Sequence, residues 1–410
     1  MTPISDAAGA APTPPDRLAI VSALGITQIF AWGASYYLPA VLAAPIAADT
    51  GWSLTWVVGG LSLGLLAAGA ISPRVGRAIA KHGGRPVLAV STGLFAAGLV
   101  GLSLANSLTA FLLAWVVIGF GMGAGLYDPA FATLGRLYGQ SGRSAITSLT
   151  LFGGFASTVC WPLSAFLEAR FGWRGTCLIY AALQLGMALP VYLFVLPREQ
   201  KAIAHAPDQA PTSASKHEPA TAPNLGLFLL LAATITLASV VSTVMSVHLL
   251  TVLKARGLTL AAAVSLGALV GPAQVAARAI EMAIARFHHP IWTKVAATSL
   301  VTIGLATLWA GGPMLTVALV LYGAGIGLES IARGTLPLAM FGAHRYPIIM
   351  GRIAMPSLIA QAAAPSIGAV LLESAGIDAA LAAFIGAAAV NVVLVIGLYI
   401  GMNVRRPASR

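Results

Sequence analysis

Charge is what this sequence has least of. Asp, Glu, Lys and Arg make up only 9% of its 410 residues, against 58% apolar residues and a mean hydropathy of +0.88. A water-soluble domain carries about 25% charged residues, so the chain lacks the polar surface to face water, and a soluble enzyme or a disordered chain is excluded. Acidic residues are scarcer than basic ones, 12 against 23. The Lys and Arg are spread through short connectors and form no basic stripe, which speaks against a nucleic-acid surface. Two cysteines, Cys160 and Cys177, are too few for a disulfide framework and fit no Cys-x-x-Cys or Cys/His zinc spacing. Neither the Gly-Lys-Ser/Thr of a phosphate loop nor a His-Glu-x-x-His pair occurs. No cofactor, no metal and no enzymatic activity are therefore expected.

What is abundant is uninterrupted apolar sequence. Charge-free runs cover 18–48, 50–73, 86–127, 144–167, 175–197, 219–253, 257–277, 295–328, 353–372 and 379–404. One helical crossing needs about 20 such residues. Two runs are long enough for a pair each, divided at Asn106-Ser107 and at Gly311-Gly312-Pro313, so twelve helices are predicted. The runs are uniformly apolar and do not alternate, which excludes a β-barrel. The expected fold class is an all-α membrane protein with twelve transmembrane helices in two six-helix bundles, 18–197 and 224–403. A Pro-rich linker, 198–223, separates the bundles, with tails at 1–17 and 404–410. With the first residue inside the cell, about seventeen of the 23 Lys and Arg fall on the inner side. Basic residues near helix ends stay cytoplasmic, so both termini are expected there, in the cell inner membrane.

The halves share local patterns, as duplicated transporters do. Gly121-x-Gly123-x-Gly125-Leu126 in predicted helix four matches Gly323-x-Gly325-x-Gly327-Leu328 in helix ten. Gly142-Arg143-x-Ala145 opens helix five as Gly351-Arg352-x-Ala354 opens helix eleven, and Arg77-Ala78-Ile79 recurs as Arg278-Ala279-Ile280. On these residues the chain resembles the major facilitator superfamily. That family's loop between helices two and three reads Gly-x-x-x-Asp-Arg-x-Gly-x-Arg; here Gly76, Lys81, Gly83 and Arg85 stand in matching places and Ala80 replaces the aspartate. The resemblance implies two bundles rocking about a central cavity, and in the family the aspartate helps lock the cytoplasmic gate. Tyr37-x-Pro39, the helix-four glycines and Phe171-Gly172-Trp173-Arg174 look most like bacterial relatives of the monocarboxylate transporters. The lysine that family carries after the helix-one proline is Ala40 here. Gln274 stands in place of its helix-eight aspartate, and its arginine is retained as Arg278.

Ionisable residues inside a bundle are costly and are candidate functional groups. Asp128, Arg278, Glu281, Glu329 and Arg333 qualify, all expected in the cytoplasmic third. The spacing predicts two self-neutralising pairs, Arg278 with Glu281 and Glu329 with Arg333, and leaves Asp128 alone. These five form either an ion-pair gate between the halves or a solute- and proton-handling site, with Asp128 the first choice for proton coupling. Gln28, Trp32 and Tyr36 before the helix-breaking Pro39, Ser242 and Ser246 of a polar stripe, and Gln361 are expected to line the solute cavity. The five charges sum to minus one, which suits proton-coupled export of a toxic small solute, a drug-like compound or a metalloid species. The alternative is proton-linked uptake of a small monocarboxylate. The expected partners are a small-molecule solute, protons and membrane lipid, with the chain a monomer.

Overall fold

The computed structural model describes residues 17–198 and 224–403. The expected tails and linker lie outside the described residues, apart from Arg17 and Arg198 at their edges. Nine continuous stretches are long and apolar enough to cross a membrane. They are α1 (Arg17–Thr50), α2 (Leu54–His82), α3 (Gly84–Leu104), α4 (Leu108–Tyr138), Gly142–Val195, which turns at Gly172 into α5 (142–171) and α6 (173–195), α7 (Leu225–Ala255), α8 (Leu260–Phe287), α9 (Pro290–Ala310) and Gly312–Asn403, which turns at Gly342 and Gly376 into α10 (312–341), α11 (343–375) and α12 (377–403). Cut at those three glycines, the described residues make twelve segments, the number counted from the apolar runs. Each turning glycine holds a φ near +70°, which a side chain would strain.

Close approaches at small residues fix the directions of the segments. In the first half, Gly60, Gly64 and Ala68 of α2 meet Trp115, Gly119 and Gly123 of α4, so these two run parallel, while Gly98 and Phe95 of α3 meet Ile118 and Gly121 in the antiparallel sense. In the second half, Val270 and Gln274 of α8 meet Gly323 and Gly327 of α10, and Val301 of α9 meets Gly325. The pattern of the first half therefore recurs in the second, but with Gly119 and Gly123 equivalent to Gly323 and Gly327. The alignment expected from the Gly-x-Gly-x-Gly strings is out by one alternation. Three glycines spaced by two match themselves in either register, and only the neighbouring helix distinguishes them. Gly351 also departs from expectation: it lies two turns inside α11 and does not open it, because the turn falls at Gly342.

The apolar packing divides unevenly. On the side reached by the α1–α2 and α7–α8 turns, called here the far side, there are two cores, one around Leu42, Leu99 and Phe111 that is built from the first half apart from Ala362 and Leu358 of α11, and one around Leu253, Leu319 and Leu381 in the second half. On the side of Arg17, Arg198 and Asn403, the linker side, one core mixes Phe131, Leu134 and Ile146 of the first half with Leu338, Tyr346 and Met350 of the second. Antiparallel α2 and α11 cross tightly there, with Gly76 against the Pro347 carbonyl and Gly351 against both Gly76 and the Ser72 carbonyl. Ion pairs follow the same division. Far-side pairs stay within a half, Asp49 with Arg174 and Arg256 with Asp378, whereas two of the pairs deeper toward the linker side, Asp128 with Arg333 and Arg143 with Glu281, cross between halves. The molecule is sealed on its linker side.

Candidate functional site

Several helices open near mid-length, and the sequence explains where. Pro129 has no N–H to give the Gly125 carbonyl, and α4 breaks at Leu126. The side chain of Gln28, fully buried on α1, supplies the missing donor from Nε2 to the Gly125 oxygen at 2.6 Å. Gln28 is thus a brace between helices, and no part of it is exposed to a cavity. α1 opens over 34–37, just before Pro39, and α5 opens after Gly153. Discontinuous helices at mid-membrane are where transporters of this general design place their sites, because unwound backbone offers free donors and acceptors.

The seam between the halves carries three charged contacts. Arg333 of α10 forms a two-pronged pair with Asp128 of α4, Nε to Oδ1 at 2.9 Å and Nη2 to Oδ2 at 2.8 Å. Its remaining terminal nitrogen donates to Ser239 Oγ at 3.1 Å and Ser357 Oγ at 3.0 Å, and Gln361 Nε2 donates to the same Ser357 oxygen at 3.2 Å. Arg143, at the start of α5, donates to the His288 carbonyl at 2.5 Å and to Glu281 Oε1 at 3.4 Å. Arg278 of α8 donates to the Thr150 carbonyl of α5 at 2.7 Å.

The pairings expected from helical spacing do not occur. Glu281 meets Arg143, His288 and Thr293 and not Arg278. Glu329 pairs with Lys294 of α9 and not Arg333, and Asp128, expected alone, holds Arg333. Helical side chains lean toward the N-terminus, which carries Arg278 back to Gln274 Oε1 and away from Glu281. In a bundle, a partner on a facing helix can also offer a carboxylate in the plane of the guanidinium, which a residue one turn away cannot match. Glu329 differs in depth as well. It stands near the middle of α10, 312–341, because that helix runs well past the end of the charge-free run.

In the sequence Lys294 borders the apolar run 295–328, where a basic residue reads as a topology signal and not as a buried group. It is the second-turn residue of α9 and fully buried, and beside its pair with Glu329 it donates to the Thr234 carbonyl. Next to this pair a cavity of about 20 Å³, room for about one water, is lined by Ser242, Thr298, Glu329 and Asn391. Removing one partner of a buried pair costs about 3–5 kcal/mol, whereas neutralising both is tolerated. Lys294→Ala is therefore expected to lower the unfolding midpoint sharply in detergent, and Lys294→Met combined with Glu329→Gln to restore most of it. Equal damage in both proteins would show that the pair does not govern stability.

Arg278 differs from the other buried cations. It is 5% exposed, and its three bonds go to the Thr150 carbonyl, the Gly327 carbonyl and the Gln274 amide oxygen, all neutral acceptors. Among the described residues it forms no ion pair. Its seat is made by Gly153-Gly154, where the Tyr127 hydroxyl rests on Gly153 and the Arg278 guanidinium on Gly154, so any side chain at either position would displace them. Tyr37 and Tyr127 lie in its electrostatic field.

The other expected cavity residues separate. Trp32 and Tyr36 belong to an aromatic cluster beside this seat, and Tyr36 reaches Thr243 and Ser246 on α7. Ser242 lines the small cavity inside the second half, and Gln361 joins the Arg333 network. In the loop motif, Gly76 makes the α2–α11 crossing and Gly83 takes a positive φ at the turn. Arg85 donates to the Leu196 carbonyl at 3.4 Å, and Lys81 is exposed in the last turn of α2. At Ala80, where the aspartate is missing, the backbone carbonyl accepts from Arg136, so α2 and α4 are tied without a carboxylate.

A family model described as Major Facilitator Superfamily matches residues 24–289. Monocarboxylate transporter 11 of Mus musculus is 32% identical over 170 residues, 41% of this chain and 36% of that protein, and its Homo sapiens counterpart is 32% identical over 171 residues, 41% and 34%. The chain thus spans about a third of the length of the curated relatives it matches. Among solved structures, the human organic anion transporter MFSD10 (TETRAN) superposes with a TM-score of 0.73 at 16% identity, covering 93% of this chain and 100% of that one. FucP in the outward conformation gives 0.73 at 14% identity, covering 93% and 98%. These two likenesses, at such low identity, establish the fold.

Proposed function

The chain belongs to the major facilitator superfamily, a multi-pass membrane transporter and not an enzyme, and we propose that it carries a small organic anion with one carboxylate by alternating access, coupled to protons. The observation that carries this reading is Arg278, a buried guanidinium at the seam that is held by neutral acceptors and has no carboxylate of its own. A solute carboxylate supplies the charge that the Thr150 carbonyl does not, and in taking Arg278 it breaks a bond between the halves. That is the differential contact alternating access needs, since a ligand shifts an equilibrium only by binding one state better. The names of the relatives, a monocarboxylate transporter and an organic anion transporter, agree with this solute class.

Export of a neutral or cationic toxic compound rested on a bundle with net negative charge. With Arg143 and Lys294 counted inside, four cations, the other two being Arg278 and Arg333, face the three carboxylates Asp128, Glu281 and Glu329, which favours an anionic solute. The Lys and Arg of the linker-side connectors support a cytoplasmic linker side in the cell inner membrane, with both termini there. On that reading the contacts across the linker side close the path to the cytoplasm.

Proteoliposomes test the proposal by counterflow of labelled acetate, L-lactate and benzoate, with ethidium as the cationic comparison. Carboxylate flux driven by a pH gradient is expected. Arg278→Gln should reduce it about ten- to a hundredfold, the range for losing hydrogen bonds to a charged group. Flux of ethidium but of no carboxylate, or full carboxylate flux in Arg278→Gln, would overturn the reading.

A further inference from the structure

We infer that the body of the solute is an aromatic ring, so that the site takes an aryl carboxylate; this rests on the anion reading above. Around Tyr127, whose hydroxyl rests on Gly153 next to the Arg278 seat, gather Trp32 of α1, Tyr36 and Tyr37 from the opened stretch that follows it and, one ring further, Trp161 of α5. Trp32 is the hub, with ring centroids 5.4 Å from Tyr36, 6.0 Å from Tyr37 and 5.0 Å from Tyr127. Tyr37 in turn meets Trp161 edge-on at 6.1 Å. The rings meet at interplanar angles of 40° to 89°, so the cluster offers both faces and edges, the two surfaces against which a further ring packs.

Two further observations turn this cluster from core packing toward a ligand. The first is position. Trp161 lies on α5 seven residues after Gly154, just past the opened turn that seats Arg278, and packs edge-on against Tyr37. It is 47% exposed. On this proposal a solute meets the exposed Trp161 before the buried Arg278. The second is an unmet donor: Trp32 Nε1 is buried and has no hydrogen-bond partner. Buried indole N–H groups normally find an acceptor. A ring oxygen on an aryl acid, a hydroxyl or carbonyl opposite the carboxylate, supplies one.

The division of labour follows. Arg278 fixes the carboxylate, Tyr127 and Tyr37 flank it, and Trp32 with Trp161 holds the flat body. A short aliphatic acid satisfies Arg278 but leaves the aromatic walls unfilled. A saturated ring fills the space but lacks the π-face and polar edge that the tyrosines and tryptophans address.

Three acids that differ in one property each provide the test, measured as competitors of labelled benzoate counterflow in proteoliposomes: benzoate itself, cyclohexanecarboxylate and acetate. Benzoate is expected to compete about tenfold better than cyclohexanecarboxylate and more than a hundredfold better than acetate. 4-Hydroxybenzoate is expected to compete better than benzoate in the parent protein and no better in Trp32→Phe, which keeps a ring and removes the N–H. Trp161→Leu should bring benzoate and cyclohexanecarboxylate to parity; because it lies at an exposed position, loss of folding is separable by its unfolding midpoint. Parity of benzoate and cyclohexanecarboxylate in the parent protein, or acetate competing as well as benzoate, overturns the aromatic specificity while leaving the anion reading standing. Absence of flux for every carboxylate, acetate included, defeats the anion reading itself.

Discussion

Arg333→Ala is expected to destabilise the bundle by about 3–5 kcal/mol, the largest effect of any single side-chain truncation at the seam. Asp128 and Arg333 are only 14% and 15% exposed, and removing the guanidinium leaves a carboxylate among Ser239, Ser357 and apolar helices with no cation at bonding distance. Asp128→Asn combined with Arg333→Gln removes both charges and keeps hydrogen-bonding groups, so most of the lost stability should return, read as the unfolding midpoint in detergent. Because the pair joins α4 to α10, its loss also favours the state in which the halves part on the linker side. Asp128→Asn alone tests coupling: flux driven by a pH gradient should vanish while solute exchange at equal pH continues. Normal gradient-driven flux in that variant would remove Asp128 from the proton path and leave it a gate.

Whether a feature could be read from the sequence depended on whether one segment or two decide it. Helix positions were legible because a membrane crossing declares itself by a run of apolar residues, a property of one segment. Breaks were legible in part: Pro39, Pro129 and Gly153-Gly154 mark where the ladder fails, yet Gln28 as the donor to Gly125 needs α1 beside α4, which no local pattern states. Charged pairs were misjudged for the same reason. Spacing of three or four residues puts Arg278 near Glu281 and Glu329 near Arg333 on a lone helix, and the facing helices Asp128, Arg143 and Lys294 belong to then take the partners away. Lys294 could have been found by one signal. His289-Pro290 caps and starts α9, with His289 Nδ1 accepting from the Ile291 N–H, so Lys294 lies a full turn inside the apolar helix and not in a connector.

The missing aspartate of the loop between α2 and α3 has a physical substitute. A gate needs contacts that exist in one state and not the other, and they need not be a carboxylate in that loop. Here Arg136 ties α4 to the Ala80 carbonyl within one half. Arg143 reaches both Glu281 and the His288 carbonyl across the seam, and Asp128–Arg333 adds a desolvated pair deeper in. The tightest element is uncharged: at the α2–α11 crossing, backbone rests on backbone.

That crossing yields the second large prediction. Gly351 lies against the Ser72 carbonyl and Gly76, and Gly76 lies against the Pro347 carbonyl, so a side chain at Gly351 meets main chain that cannot rotate away. The overlap exists only while α2 and α11 touch, so Gly351→Leu penalises the linker-side-sealed state and spares the one in which these helices separate. A penalty of a few kcal/mol shifts a two-state equilibrium by a hundredfold or more, and transport requires both states. Gly351→Leu is therefore expected to cut flux by roughly a hundredfold with the protein still inserted, and Gly351→Ala to act in the same direction more weakly. The readout specific to a gate is accessibility. Leu338, 2% exposed in the core shared by both halves, becomes a reporter as Leu338→Cys, protected from thiol reagents in the sealed state. Adding Gly351→Leu should expose it to reagent from the linker side. Flux lost with that cysteine still protected would make the crossing ordinary packing and take it out of the gate.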